Sequence, residues 1–172
     1  MTPITFETKR LYCRPTQLQD ASLVLKLTNT PDWISFIGDR NIRSKAQAKE
    51  YIKTKMLPQL EALGYGNYTI ILKENDVKIG TVGLYNRDGL EGVDIGFGLL
   101  PDYYSKGYVY EASKELLTIA KNNFKLSNIQ AITLSENKAS IRLIERLGLI
   151  FKETVQLPDD PDTLLLYTTT LD

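Results

Sequence analysis

Apolar residues recur along this chain at two different periods, and the changes from one period to the other mark out its elements. Residues 10–14, "RLYCR", alternate polar and apolar as a short strand does, and the segment 18–28 behind them is rich in Leu, Val and Ala and predicts a helix. An aromatic stretch, "PDWISFIGDR", reads as a turn. Beyond it Ser44 and Gln47 stand at capping-box spacing, and Ala48, Tyr51, Ile52, Met56 and Leu60 follow at helical intervals. Pro58 is expected to end or kink that helix, because proline lacks the N–H and its ring meets the preceding turn. The pattern then becomes β-rich in "GNYTIILKEN", "KIGTVGLYNRD" and "GVDIGFGLLP", three runs separated by turn-forming "ENDV" and "RDGLEG". Three consecutive antiparallel strands are expected.

Helical spacing returns at Val109, Ala112, Leu116, Leu117, Ala120 and Phe124, which would form one face packed on a sheet. The β-branched run "IQAITL" follows, so the strands on either side of this helix should be parallel neighbours joined by a right-handed crossover. In "SENKASIRLIERLGL" Asn137 is a helix cap and Gly148 a stop, and the tail "TLLLYTTTL" supplies a last strand. The expected architecture is α+β, a mixed and mostly antiparallel central sheet with helices on both faces, in a single domain over residues 1–172.

Composition changes this picture chiefly by exclusion. With 172 residues, 42% of them hydrophobic, the chain is long enough to bury one core and too short for two full domains. Lys and Arg number 21, as do Asp and Glu, and this balance favours neither a nucleic acid nor a membrane surface as partner. The one cysteine, Cys13, forbids an intrachain disulfide, and "MTPITFETKR" lacks the apolar core of a signal peptide, so a cytoplasmic protein is expected. There is no histidine at all. Ser-His-Asp and Cys-His hydrolysis are therefore excluded in their usual forms, and no resident metal is expected.

Candidate chemistry starts at "LLPDYYSKGYVYEAS", residues 99–113, where a strand passes through a turn into a helix. Such a turn offers unpaired N–H groups and the positive end of the helix dipole to a phosphate, and Gly107 permits close approach. On local grounds alone the alternative, a turn that binds nothing, stays open. Other glycine clusters do not compete: "GFGLLP" carries Pro101 where a dinucleotide fingerprint needs its third glycine, and "SKGY" lacks the ending of a Walker loop.

The run from 93 to 151, "VDIGFGLLPDYYSKGYVYEASKELLTIAKNNFKLSNIQAITLSENKASIRLIERLGLIF", resembles the acetyl-coenzyme A-binding half of GNAT-superfamily N-acetyltransferases, particularly the RimJ/RimL-type group. "ETKRLYCRP" is similar to that group's opening strand, and "PDWISFIGDR" to its first interhelical loop. The resemblance implies a GNAT-like fold with acetyl-CoA as co-substrate and no metal. Its pyrophosphate turn, Q/R-x-x-G-x-G/A, falls on Tyr104, Ser105, Lys106, Gly107, Tyr108 and Val109, with only the central glycine kept. Backbone N–H groups bind phosphate through almost any side chain, so Tyr104 is tolerable, whereas Val109 adds bulk beside the coenzyme. Asn137 and Ser140 match the N-x-x-S start of the next helix, where contact with the pantetheine arm and sulfur is implied; the plain alternative is a helix cap. Many relatives place a tyrosine general acid seven residues after this asparagine, a position held here by Ile144.

Acetyl transfer sets three tasks. A lysine-type amine, with pKa about 10.4, must lose its proton to a base or in a desolvating pocket. Asp94 is the candidate base, sharing one strand face with Gly96 and Gly98, and some relatives carry an acid at the matching position; a cross-strand salt bridge is the equal alternative. Glu91, in exposed-looking "DGLEG", is a weaker rival. The oxyanion needs a donor, which the resemblance puts at a backbone N–H near Leu99 and Leu100, and the glycines at 96 and 98 suit a bulge there. The departing thiolate can take a hydrogen bond from Ser140. Trp33, Phe36 and Arg40, with Tyr65 and Tyr68, are candidates for the acceptor pocket. The acceptor itself, a small-molecule amine or a peptide N-terminus, is left open, as is monomer against homodimer. A non-catalytic acyl-CoA-binding or interaction module on the same fold is the alternative function.

Overall fold

The computed structural model describes residues 2–172. Its strands are β1 (Phe6–Glu7), β2 (Leu11–Pro15), β3 (Asn67–Leu72), β4 (Lys78–Asn86), β5 (Val93–Leu99), β6 (Asn128–Thr133), β7 (Ile150–Val155) and β8 (Leu164–Thr170). The helices are α1 (Ala21–Thr28), α2 (Pro31–Phe36), α3 (Lys45–Tyr51), α4 (Leu57–Leu63), α5 (Tyr108–Asn122) and α6 (Lys138–Arg146). All eight strands join one sheet in the order β1-β2-β3-β4-β5-β6-β8-β7. Every pairing is antiparallel except β5 with β6, the two strands that α5 connects. The mixed, mostly antiparallel α+β sheet expected from the pattern is what the chain forms.

Two local expectations need correction, the aromatic turn and the bulge; one is narrowed, and one strand was not foreseen. The aromatic stretch is not a turn but helix α2, because Thr30 caps it by accepting from the Trp33 N–H (3.3 Å) and Pro31 stands in its first turn. Pro58 does not end the second helix: Ile52–Met56 widen into a π-helical turn just ahead of it, and Pro58 then sits in the first turn of α4. Strand β7 was hidden in "IFKETV", where most residues are exposed and the alternation is lost. The β4–β5 ladder runs from Asn86–Val93 to Gly80–Leu99 without a register shift, so there is no bulge at Gly96 or Gly98.

Two hydrophobic clusters cover opposite faces of the sheet. On one, Ala112, Leu116 and Ala120 of α5 pack on Leu84, Ile95, Ile129 and their neighbours, and Ile144 of α6 joins them. On the other, Ala21 and Val24 of α1 meet Ala48 and Ile52. Beneath α1 lies a chain of buried polar contacts: Tyr85 Oη donates to Asn67, Asn67 Nδ2 to Thr16 (2.8 Å), Thr16 and Thr69 share a hydroxyl bond (2.9 Å), and Thr69 donates to Asp20 (3.0 Å). Asp20 is fully buried and takes Arg14 through two nitrogens (2.7 and 2.9 Å) and Lys78 at 2.6 Å. Among the described residues no helix is long and apolar enough to cross a membrane, and no three His, Cys, Asp or Glu side chains cluster as metal ligands.

Burial alone would raise the Asp20 carboxyl, but the hydrogen bonds from Arg14, Lys78 and the Gln17 N–H outweigh it and hold the pKa at about 2. The folded value lies below the unfolded one, so this group's stabilisation is full above about pH 4 and is lost as pH falls towards 2. Asp20→Asn should cost about 3 kcal/mol in urea unfolding at pH 7, because two cations then lose their buried partner. The difference between variant and wild type should shrink as the titration is repeated from pH 4 down to pH 2.

Candidate active site

The site arises where two parallel strands part. β5 and β6 share one register pair, Asp94 with Gln130, and beyond it they diverge. In an antiparallel ladder the hydrogen-bonded pairs alternate with non-bonded ones. Leu100 N–H donates to the Ile79 carbonyl at 2.8 Å, so the N–H of Leu99, one residue earlier, points away from β4 and into the gap towards β6. A cavity of about 470 Å³ opens there. It is lined on β5 by Phe97, Gly98 and Leu99, which alternate between the two sheet faces, so the cavity reaches both sides of the sheet.

On the α5 side the wall is the turn into that helix. Ser105 (φ 61°) and Gly107 (φ 80°) both take left-handed conformations, and Gly107 is the helix N-cap whose carbonyl accepts from Glu111. Among the described residues the N–H groups of Ser105, Lys106, Gly107, Tyr108, Val109 and Tyr110 donate to no backbone carbonyl outside the helix, and the last three lie in its first turn, which has no preceding turn to bond. A β-carbon on Gly107 would come within 3.3 Å of Arg10 Nη2; Arg10 stacks over the Tyr108 ring at 4.3 Å and bonds Glu111 at 2.7 Å. Val109 does two jobs, packing on the core and facing the cavity.

Helix α6 supplies the facing wall. Asn137 Oδ1 accepts from Ser140 N–H at 3.2 Å and so caps the helix, while the Ser140 hydroxyl, on the cavity side, has no partner among the described residues. Arg142 and Arg146 also face the cavity, with the Arg146 guanidinium over the Tyr110 ring at 3.8 Å. Across the sheet, Leu27 of α1 and Trp33, Phe36 and Ile37 of the α2 region close the other end. Gly98 is required here: a β-carbon on it would lie 2.7 Å from the Trp33 ring. Asp32 is the one carboxylate among the described residues lining the cavity, and burial first, with the charge of Asp32 nearby, pushes the Tyr104 phenol up to about 12. Tyr104 therefore stays protonated at neutral pH.

This arrangement fits a coenzyme A thioester: free backbone donors for a pyrophosphate at one end, a narrow gap between strands for an extended arm, and an N–H in that gap for a carbonyl oxygen. A family model described as an acetyltransferase (GNAT) domain matches residues 10–150. The chain belongs to the GNAT family. It is 30% identical over 146 residues to the N-acetyltransferase p20 of Bacillus licheniformis, covering 84% of this chain and 81% of that one. A GNAT-family acetyltransferase of Bacillus anthracis superposes with a TM-score of 0.80 at 21% identity over 98% of this chain and 99% of its own. Spermidine N-acetyltransferase from Vibrio cholerae, solved with CoA and spermine, gives 0.77 at 14% identity, covering 95% and 97%. This GNAT protein is an acetyltransferase that uses acetyl-CoA as co-substrate and passes its acetyl group to an amine.

The cavity brings together most of the residues singled out in the sequence: Leu99, Tyr104, Ser105, Gly107, Tyr108, Val109, Asn137, Ser140, Trp33 and Phe36. Others lie outside its lining. Leu100 is occupied by Ile79, Lys106 leans over the Tyr103 ring at 5.7 Å, and Arg40 is exposed beside Gly38. Tyr65 stacks on Phe124 and Tyr68 is buried against Phe6. Glu91 is exposed in its turn. Asp94 is 1% exposed and both its oxygens are held by Arg87 Nε, at 2.9 and 3.0 Å, which is the salt-bridge alternative. Ile144 is core. Sequence reasoning missed Asp32, Phe97, Tyr103, Tyr110, Arg142 and Arg146; the last two stand four apart on the polar face of α6, a spacing that could have exposed them.

Gly107→Val forces a β-branched residue into the left-handed region and pushes on Arg10, tilting the free donors of the turn. Coenzyme A affinity measured by calorimetry should fall about tenfold, with the circular dichroism spectrum unchanged.

Proposed function

We propose that this enzyme acetylates a primary amine that enters from the α1–α2 side and meets the thioester at Leu99, in a single complex of both substrates. The orientation of the Leu99 N–H into the gap between β5 and β6 carries this reading. It leaves one fixed donor midway between the phosphate-binding turn and the Trp33 wall. A donor that needs no reorganisation favours negative charge on the acetyl oxygen over the neutral carbonyl. When bound, acetyl-CoA supplies a carbonyl carbon open to attack by an amine.

The chain's own residues then divide the work. The turn from Tyr104 to Val109 holds the pyrophosphate through backbone N–H groups, and Arg142 and Arg146 add positive charge at that end of the cavity. Trp33, Phe36 and Phe97 exclude water around the incoming amine; an apolar wall disfavours the ammonium form and lowers its pKa, so the nucleophile can be neutral without a dedicated base. Ser140 donates a hydrogen bond from its hydroxyl to the departing sulfur, whose thiol pKa of about 8.5 lets it leave as thiolate, and the proton released from the amine nitrogen as the C–S bond breaks passes to that thiolate or to solvent. Asn137 orients Ser140 by fixing the first turn of α6. Asp94, buried and held by Arg87 outside the cavity lining, is not assigned the role of base.

The test joins acetyl-CoA calorimetry to free-thiol release over a panel of amines and N-terminal peptides. Binding with amine-dependent release is the expected result; binding with no release from any acceptor would favour the binding-module alternative. Within the active enzyme, Ser140→Ala should lower kcat about tenfold while the KM for acetyl-CoA stays near wild type. An unchanged kcat would remove Ser140 from the mechanism.

A further inference from the structure

We infer that Trp33 sets the acyl-chain length this enzyme accepts: its ring closes the space beside the thioester, so that a two-carbon acyl group fits and a longer one does not. The inference rests on the acetyltransferase reading of the cavity and names a specificity determinant for it.

The Leu99 N–H fixes where the acyl group must lie. It holds the thioester oxygen in the gap between β5 and β6, while the turn into α5 and the wall of α6 take the coenzyme on one side of that gap. The other side, towards α1 and α2, is left to the acyl chain. On β5 the residues of that face are Asp94, Gly96 and Gly98, in alternation with Ile95, Phe97 and Leu99, which belong to the core under α5. Gly98 and Leu99 share the peptide group that carries the donor. Whatever stands over Gly98 therefore stands beside the acyl group.

Trp33 stands there. A β-carbon on Gly98 would lie 2.7 Å from Trp33 Cζ3, 3.1 Å from Trp33 Cε3 and 3.5 Å from Leu27 Cδ2. Gly98, Leu99, Trp33 and Leu27 all line the cavity. The ring thus rests on the strand backbone itself, an approach that only a residue without a side chain permits. A methyl on the carbonyl carbon ends within the gap, whereas each further methylene is driven against the ring and Leu27. The amine approaches across the plane of the carbonyl and the chain lies within that plane, so the ring limits one without barring the other.

The wall is also braced. Trp33 N–H donates to Thr30 Oγ1 at 3.3 Å, and the Trp33 carbonyl accepts from the Ile37 N–H (2.8 Å) and the Gly38 N–H (2.9 Å). Thr30 Oγ1 in turn donates to the Leu27 carbonyl at 2.9 Å, and both Thr30 and Leu27 are buried. One short junction between α1 and α2 therefore positions both side chains that close the gap, with Pro31 stiffening it. Space bounded in this way yields little to an oversized ligand, because added methylenes force side chains off their rotamers and shift the backbone.

The experiment compares acetyl-, propionyl- and butyryl-CoA on wild type, Trp33→Phe and Trp33→Ala. The amine that releases most thiol in the panel is the common acceptor, so a change in amine binding cancels from the ratio of thioesters. Wild type should lose about tenfold in kcat/KM for each added methylene. Trp33→Phe should raise the propionyl-to-acetyl ratio, and Trp33→Ala the butyryl-to-acetyl ratio, each by about tenfold. Trp33→Phe keeps an aromatic ring over Gly98 and decides the matter alone if Trp33→Ala does not fold. Equal use of butyryl- and acetyl-CoA by wild type, or a selectivity unchanged in every folded variant, would overturn the inference and leave acetyl transfer standing.

Calorimetry with the same thioesters, against free coenzyme A, reads the wall without turnover. Butyryl-CoA should bind wild type about tenfold more weakly than acetyl-CoA, and the variants without that penalty. This binding pattern with no thiol release from any thioester would support the wall and count against the acetyltransferase reading. Equal binding with a selective turnover that the variants relax would support the wall as well, the longer chain then being held out of position. Equal binding accompanied by equal turnover, or by none, would overturn it, and no binding of any thioester would overturn both readings.

Discussion

The parting of β5 from β6 after a single register pair is the constraint on which the site depends. Two parallel strands that stayed paired would hydrogen-bond the Leu99 N–H and leave no space between them. Once separated, they expose one strand edge in the middle of a sheet, a position where unpaired backbone is costly unless something fills it. The coenzyme arm is the natural occupant, since an extended amide chain can bond the edge as a strand would. The turn after Leu100 and the N-terminus of α5 then lie at one end of the gap and Trp33 at the other, which is what the proposed direction of the coenzyme and entry of the amine rest on.

Two buried aspartates show how similar ion pairs can differ in purpose. Asp20 is saturated by Arg14, Lys78, Thr69 and the Gln17 N–H, and it anchors β2, β3 and β4 to the start of α1. Asp94 is held by one nitrogen of one arginine and sits beside glycines. Burial raises its carboxyl while Arg87 opposes that, with the rise prevailing. The polar chain from Tyr85 through Asn67, Thr16 and Thr69 to Asp20 links the two, so rigidity at the structural pair extends to the ring on which Arg87 rests.

The phosphate turn departs from its family's pattern at nearly every side chain, and its geometry explains how it can. On the proposed reading its role lies in backbone direction, set by left-handed Ser105 and Gly107, and not in the side chains at 104 or 109. Tyr104 lines the cavity together with Asp32 of α2, whose charge adds to burial in raising the phenol. Val109 sits where core and cavity meet, which accommodates its bulk without closing the gap.

The sequence by itself determined the order and kind of most elements, the parallel crossover through α5, the strand-to-helix turn at Gly107 and the Asn137 cap. Each is written in local periods, or in residues whose backbone preference is strong: glycine at 107, asparagine before α6. It was silent on β7, whose exposed residues carry no alternation, and it concealed α2 behind an aromatic loop although Thr30 and Pro31 announced a helix start. Only tertiary structure decided where Asp94 points its charge, that Tyr65 and Tyr68 belong to the core, and that Arg142 and Arg146 face the cavity. Those outcomes depend on contacts between residues far apart in the chain: Arg87 meets Asp94 because two strands pair in one register, and Trp33 covers Gly98 because α2 crosses the sheet at that point. A local pattern can say which face a residue occupies, but what stands opposite that face is fixed by packing alone.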